Sequence, residues 1–140
     1  MSSPLNRVSI QAVSRTFEGH KGQRTQALLP VDFEVRDNDF VTILGPSGCG
    51  KSTLLRIVAG LDHATSGRVL LDGVPVEGPG ADRGMVFQSY TLFPWLTIEQ
   101  NIRFGLRERG MPETLQKERA AYFIAKVGLR GFEQHFPKQL

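Results

Sequence analysis

The residues with the clearest chemistry run from Gly45 to Thr53: Gly45-Pro46-Ser47-Gly48-Cys49-Gly50-Lys51-Ser52-Thr53. Gly45 to Ser52 follow the spacing G-x-x-x-x-G-K-S. At ordinary residue frequencies a chain of this length meets that spacing by accident about 0.5% of the time. Each residue type suits a dense, negatively charged ligand such as a nucleoside triphosphate. Backbone N–H groups turned inward and the positive end of a helix hold phosphate oxygens, and side chains would crowd that approach, hence Gly45, Gly48 and Gly50. Lys51 brings a cation to the outer phosphates. The Ser52 hydroxyl is a hard oxygen ligand for Mg²⁺, and Thr53 can donate to an earlier phosphate oxygen.

Other candidate groups carry less. Cys49 lies inside the loop and is read as a small residue filling a tight turn, with no catalytic role. His20, His63 and His135 are isolated, with no Cys or carboxylate spacing that would make a metal site. Val69-Leu70-Leu71-Asp72 resembles an apolar run ending in a metal-binding carboxylate. Gly73 follows it, however, and Asp-Gly after alternating residues signals a hairpin turn.

A phosphate-binding loop needs a strand before it and a helix after it. Phe40 to Leu44 (FVTIL) is a short continuous apolar run, as expected of a strand covered on both faces. After the loop, Leu54, Leu55, Val58 and Ala59 fall at helical spacing and Gly60 stops the helix. Upstream, Val8, Ile10 and Ala12 alternate with polar residues and predict a strand, and Val31, Phe33 and Val35 predict a second. Between them, Gly19 to Arg24 reads as turn-like. Downstream, Arg68 to Val76 predicts a hairpin and Gly84 to Phe87 another apolar strand. Thr97 and Gln100 form a capping-box pattern ahead of Ile98, Ile102 and Leu106, and Gly110 ends that helix. Pro112 opens a further helix with the stripe Ala120, Ile124 and Val127, closed by Gly128. Residues 1–88 are thus β-rich with one helix, and 95–128 are helical.

Composition narrows the function classes. The chain has 140 residues, 40% of them apolar, which is ordinary for a globular domain and excludes disorder throughout. Its 17 Lys and Arg against 14 Asp and Glu give +3 with no long basic run, so no nucleic-acid partner is expected. The single cysteine excludes an internal disulfide. No apolar stretch is long enough to cross a membrane, and the first ten residues lack a signal-peptide core.

Together these stretches resemble the nucleotide-binding subunit of an ABC transporter. FVTILGPSGCGKSTLLRIVAGL looks like that family's Walker A segment. Gly67 to Gly73 resembles its antiparallel β-subdomain, Met85-Val86-Phe87-Gln88 its Q-loop, and Phe93 to Ile102 the entry to its helical subdomain. Glu77 to Gly84 and Leu92-Phe93-Pro94-Trp95 are similar to importers of nitrate, sulfonate or taurine type.

The resemblance implies an α/β fold of the P-loop NTPase type, an ABC ATPase core. It would have an N-terminal antiparallel β-subdomain in residues 1–88 and the start of a helical subdomain in 89–140, incomplete before the signature motif. It implies ATP and Mg²⁺ as cofactors and places Phe17 where an aromatic stacks on adenine. Gln88 would contact Mg²⁺ and the attacking water, so that Lys51 and Gln88 would serve catalysis and Ser52 and Gln88 the metal. The partners implied are a second ATPase subunit, permease subunits docking near Tyr90 to Trp95, and indirectly an external solute-binding protein. The location implied is peripheral, at the cytoplasmic face of the membrane.

Phosphoryl transfer also needs a positioned base and charge stabilisation from elements this chain does not contain. The expectation is therefore part of a longer importer ATPase subunit, which on its own binds nucleotide without turnover. The sheet edge beside the loop should then be open and apolar. The alternative is a non-hydrolytic remnant or a soluble ABC-type regulatory module. A small-molecule kinase would need an acceptor pocket and an Arg-rich lid, and the sequence shows neither.

Overall fold

In the computed structural model, residues 6–19, 22–89 and 91–140 are described. The chain divides into two compact units, Met1–Val86 and Phe87–Leu140. His20 and Tyr90 lie outside the described residues.

The first unit holds β1 (Asn6–Glu18), β2 (Arg24–Arg36), α1 (Lys51–Val58), β3 (Ser66–Leu71) and β4 (Val74–Pro75). The strands form one antiparallel four-stranded sheet in the order β2-β1-β3-β4. The second strand is longer than the Val31–Val35 alternation predicts, because it pairs with β1 from Arg24 onward. Pro30 is tolerated there since β2 is an edge strand and Leu28 to Val31 is an irregularity in its register. The hairpin forms as expected, with Asp72 at φ 49° and Gly73 at φ 80°, both left-handed as a tight two-residue hairpin turn requires.

The core lies where α1 packs on this sheet. Ile10, Val13, Leu28, Leu54, Ile57 and Val69 are buried together, with Phe33, Ile43 and Val58 packed against them. Leu54 and Ile57 are the buried residues of α1, while Leu55 is exposed. The alternation along β1 slips at Ala12, which is exposed where a buried residue is expected. The register shifts there against both neighbours, and the Ala12 N–H donates to Asp32 Oδ1 at 2.7 Å. This bulge lets Ile10 and Val13, three apart, share the core face.

Two expected strands do not form. Residues 40–44 and 84–87 belong to no ladder among the described residues. Phe40 is 95% exposed, Leu44 87% and Val86 98%. Their composition is that of buried parallel strands, but a strand exists only through hydrogen bonds to neighbours, and none of the described segments pairs with them.

The second unit holds α2 (Ile98–Glu108), α3 (Glu113–Lys126) and a 3₁₀ turn (Pro137–Gln139). The capping box is present: Gln100 N–H donates to Thr97 Oγ1 at 3.3 Å and Thr97 N–H to Gln100 Oε1 at 2.9 Å. Pro112 is the N-cap of α3 rather than its first helical residue. The buried stripe of α3 is Gln116, Ala120 and Ile124. Val127, expected in that stripe, caps the helix C-terminus and is exposed. Arg103 pairs with Glu99 within α2 (3.1 Å) and ties α2 to α3 through Glu113 (3.3 Å). Lys117 and Arg103 hold the Glu113 carboxyl below its ordinary range. Among the described residues no helix is long and apolar enough to cross a membrane.

Thr97→Ala removes a cap that satisfies an orphan N–H of α2, which costs about 1 kcal/mol. Trp95 is the sole tryptophan and belongs to the same unit. Denaturant unfolding followed by its fluorescence should show an earlier midpoint for this variant.

Candidate functional site

The loop Gly45–Gly50 enters α1 through Gly50, the N-cap residue, at φ 97° and ψ 2°. A side chain here would be strained by that conformation. Its Cβ would also stand 2.5 Å from the Ala27 carbonyl oxygen and 3.0 Å from Leu28 Cδ1. The loop is therefore seated directly on β2. Leu28 pairs with Arg15, and Thr25 with Phe17, so the loop lies one strand pair from the end of β1.

Among the described residues no side chain caps the first turn of α1, and that turn carries no carboxylate. Its leading N–H groups have no intrahelical partner, and with the helix dipole they favour an anion. Lys51 folds back over the loop, its Nζ donating to the carbonyls of Gly45 (2.6 Å) and Pro46 (2.7 Å) and lying 3.5 Å from Cys49 Sγ. The Cys49 N–H donates to the Pro46 carbonyl at 3.4 Å, closing the turn, and Cys49 is exposed. Ser52 is exposed and Thr53 half-buried in the first turn. The donor set thus comprises a cation, backbone N–H groups and a hydroxyl at a helix N-terminus with no competing carboxylate. It fits a magnesium-bound triphosphate.

The cavity beside the loop has a different character. It measures about 440 Å³ and is lined by Leu28, Phe33, Val41, Ile43 and Leu54 with Lys51 at its margin. Apolar walls do not repay the desolvation of phosphate, so this space belongs to the core and not to the ligand.

Phe17 is placed at the end of β1, is 40% exposed, and lines a separate cavity of about 640 Å³ with Arg15, Thr16, Glu18, Arg24 and Thr65. Gln88 belongs to the second unit, exposed at a bend two residues past Val86. The structure therefore gathers Gly45 to Thr53 into one loop and the first turn of α1 and holds Phe17 in the same unit, whereas Gln88 lies in the other. In the expected docking segment Leu92 is 46% and Trp95 69% exposed. Phe93 packs on Trp95 and Phe104, with ring centroids 5.4 and 4.6 Å away.

One residue that orders this segment is not singled out by the sequence. Asn101 accepts from the Phe93 N–H (2.8 Å), and its amide donates to the carbonyls of Phe93, Leu96 and Thr97 at 3.0–3.1 Å. An asparagine on the first turn after a capping box could have signalled it. Arg15, which lies over the Phe17 ring, and its ion-pair partner Asp62 are not singled out by the sequence either.

The ABC transporter family profile matches residues 28–140. The chain is 52% identical over 134 residues to an uncharacterized ABC transporter ATP-binding protein of Methanocaldococcus jannaschii, covering 96% of this chain and 50% of that protein. It is 45% identical over 133 residues to the nitrate import ATP-binding protein NrtD of Synechocystis sp., covering 95% and 50%. It is 48% identical over 131 residues to the taurine import ATP-binding protein TauB of Burkholderia pseudomallei, covering 94% and 50%. The chain thus spans about half the length of these curated relatives. The dimeric post-hydrolysis structure of the ATP-binding cassette MJ0796, bound to ADP and Pi, superposes with a TM-score of 0.83 at 31% identity, covering 95% of this chain and 62% of that one.

Gly50→Ala forces an alanine into a left-handed conformation that costs roughly 1–2 kcal/mol and drives its Cβ into β2. Nucleotide affinity measured by calorimetric titration should fall by about tenfold, since the displacement moves the first-turn N–H groups.

Proposed function

This chain belongs to the ABC transporter family, and on that premise we propose that it is the ATP-binding part of an importer ATPase subunit. In the full subunit, MgATP binding and hydrolysis would drive uptake of a small anion such as nitrate, sulfonate or taurine. The observation that carries the proposal is the uncapped first turn of α1, entered through a left-handed Gly50 with Lys51 folded over the loop. Similarity to proteins named for nitrate and taurine import supports the importer assignment.

On binding, Lys51 exchanges its two carbonyl partners for the outer phosphate oxygens, so that both donor and acceptor of each hydrogen bond are ionised, which strengthens them. The N–H groups from Gly48 to Thr53 hold the inner phosphates. Ser52 and Gln88 are the proposed Mg²⁺ ligands, and the ion would neutralise charge on the phosphate oxygens. Gln88 would also orient the attacking water, which an amide can do without changing protonation state. Phe17 would stack on the adenine.

Without further strands the chain alone binds nucleotide but does not turn it over. This proposal is supported by the exposed Phe40, Leu44 and Val86, which mark an unfinished sheet beside the loop. In the whole protein a second copy would face the first, as in the dimeric MJ0796 cassette. Permease subunits would dock at the exposed Leu92 and Trp95, with a solute-binding protein acting through them from outside, and the subunit would be peripheral to the membrane.

The test is titration of the purified chain with MgATP. The wild type should bind, and Lys51→Met should bind at least about tenfold more weakly, as expected for loss of a charge-assisted contact. Phosphate release should show no turnover that depends on Lys51. Failure to bind overturns the ATP-binding assignment, and Lys51-dependent turnover overturns the binding-only state of the isolated chain. In the full-length subunit, Trp95→Glu should release the protein from membranes without loss of ATP binding, checked by sedimentation with vesicles carrying the permease.

A further inference from the structure

The end of β1 carries an arrangement that the phosphate loop does not explain. Arg15 and Phe17 are two apart on a strand and share a face. The Arg15 guanidinium lies over the Phe17 ring, 4.5 Å from its centroid. The same guanidinium is paired with Asp62, with Arg15 Nη2 2.8 Å from Asp62 Oδ1. Both side chains are largely buried, at 23% and 20% exposure, so solvent screens this ion pair less than a surface one. Arg15 Nε is buried with no hydrogen-bond partner among the described residues, leaving the carboxylate and the ring as its anchors.

The segment that carries Asp62 is itself tied down. The Thr16 N–H donates to Thr65 Oγ1 at 2.9 Å, the Thr65 hydroxyl donates to the Thr16 carbonyl at 3.3 Å, and the Thr65 N–H donates to the Ser14 carbonyl at 2.8 Å. That segment follows α1 directly, so the helix that offers its N-terminus to phosphate also delivers Asp62 to β1. One face of Phe17 is thus occupied by a guanidinium, and the two side chains together line a cavity of about 640 Å³. An aromatic ring covered on one side by a held cation is restricted in its rotation and keeps a flat apolar face for a second planar group.

We propose that Arg15, anchored by Asp62, is a positioning residue that holds the Phe17 ring in the orientation from which it stacks on the nucleobase of ATP. The proposal rests on the assignment of the Gly45–Thr53 loop and Phe17 to nucleotide binding. It adds that affinity for the base, as distinct from the phosphates, depends on an ion pair that touches neither. Arg15 acts through Phe17 and contacts no reacting atom.

The experiment compares MgATP with magnesium tripolyphosphate, which keeps the phosphates and lacks the base, by calorimetric titration of the chain. Circular dichroism confirms that each variant is folded. The wild type should prefer MgATP. Arg15→Met should weaken MgATP about threefold to tenfold and leave tripolyphosphate unchanged. Asp62→Asn, which frees the guanidinium without touching the ring, should act in the same direction. Arg15→Lys, which keeps a cation, should recover part of the preference. Phe17→Ala should abolish the preference, and adding Arg15→Met to it should cost nothing more.

The proposal is overturned if Arg15→Met binds MgATP as tightly as the wild type or more tightly, the latter meaning that the guanidinium occupies the base's own place. It is overturned equally if both ligands weaken together, which marks a merely structural or charge effect, or if the two substitutions add. A wild type that binds both ligands alike removes the nucleobase role of Phe17 while the loop assignment stands. A wild type that binds neither removes the loop assignment, and the positioning role falls with it.

Discussion

The approach of the Gly50 backbone to the Ala27 carbonyl of β2 is the constraint on which the rest of the first unit turns. A Cβ at Gly50 would be 2.5 Å from that oxygen, so glycine alone lets the loop sit against the strand. From that contact follow the left-handed entry into α1, the uncapped first turn and the inward path of the loop carbonyls that Lys51 bridges. A side-chain cap at this position would have stabilised the helix by about 1 kcal/mol. The uncapped turn suits a ligand that can satisfy the same N–H groups with a full negative charge.

The helix is short, and tertiary packing stabilises it more than its own propensity does. Leu54 and Ile57 supply that packing, against Ile10, Val13, Leu28 and Val69. The β1 bulge at Ala12 serves the same purpose, because without it Ile10 and Val13 could not both face α1. Removing Leu54 would leave a cavity directly behind the phosphate loop, and changes of that kind cost about 2–5 kcal/mol.

What the sequence reveals here depends on range. The Asp72-Gly73 hairpin, the Thr97–Gln100 capping box and the helix after Lys51 are each fixed by residues a few positions apart, and each forms where the pattern predicts. The bulge at Ala12 is set by Asp32, twenty residues away, and leaves no local sign. Residues 40–44 and 84–87 have the composition of covered strands, yet composition records only what a segment would pair with. Being a strand depends on a neighbour, and among the described residues there is none. The proposed phosphate loop is legible because its spacing and residue types are themselves the chemistry. Arg15 and Asp62 were not, because an arginine on a strand and an aspartate in a loop become a pair only when β1 and the end of α1 meet.

The most direct measurement is the ¹H–¹⁵N spectrum of the wild-type chain during titration with MgATP. If the helix N-terminus is the phosphate site, the amides of Gly48, Gly50, Lys51, Ser52 and Thr53 move together and saturate with one affinity, while those of α3 stay in place. Saturating shifts confined to other residues, with these amides unmoved, would contradict the account.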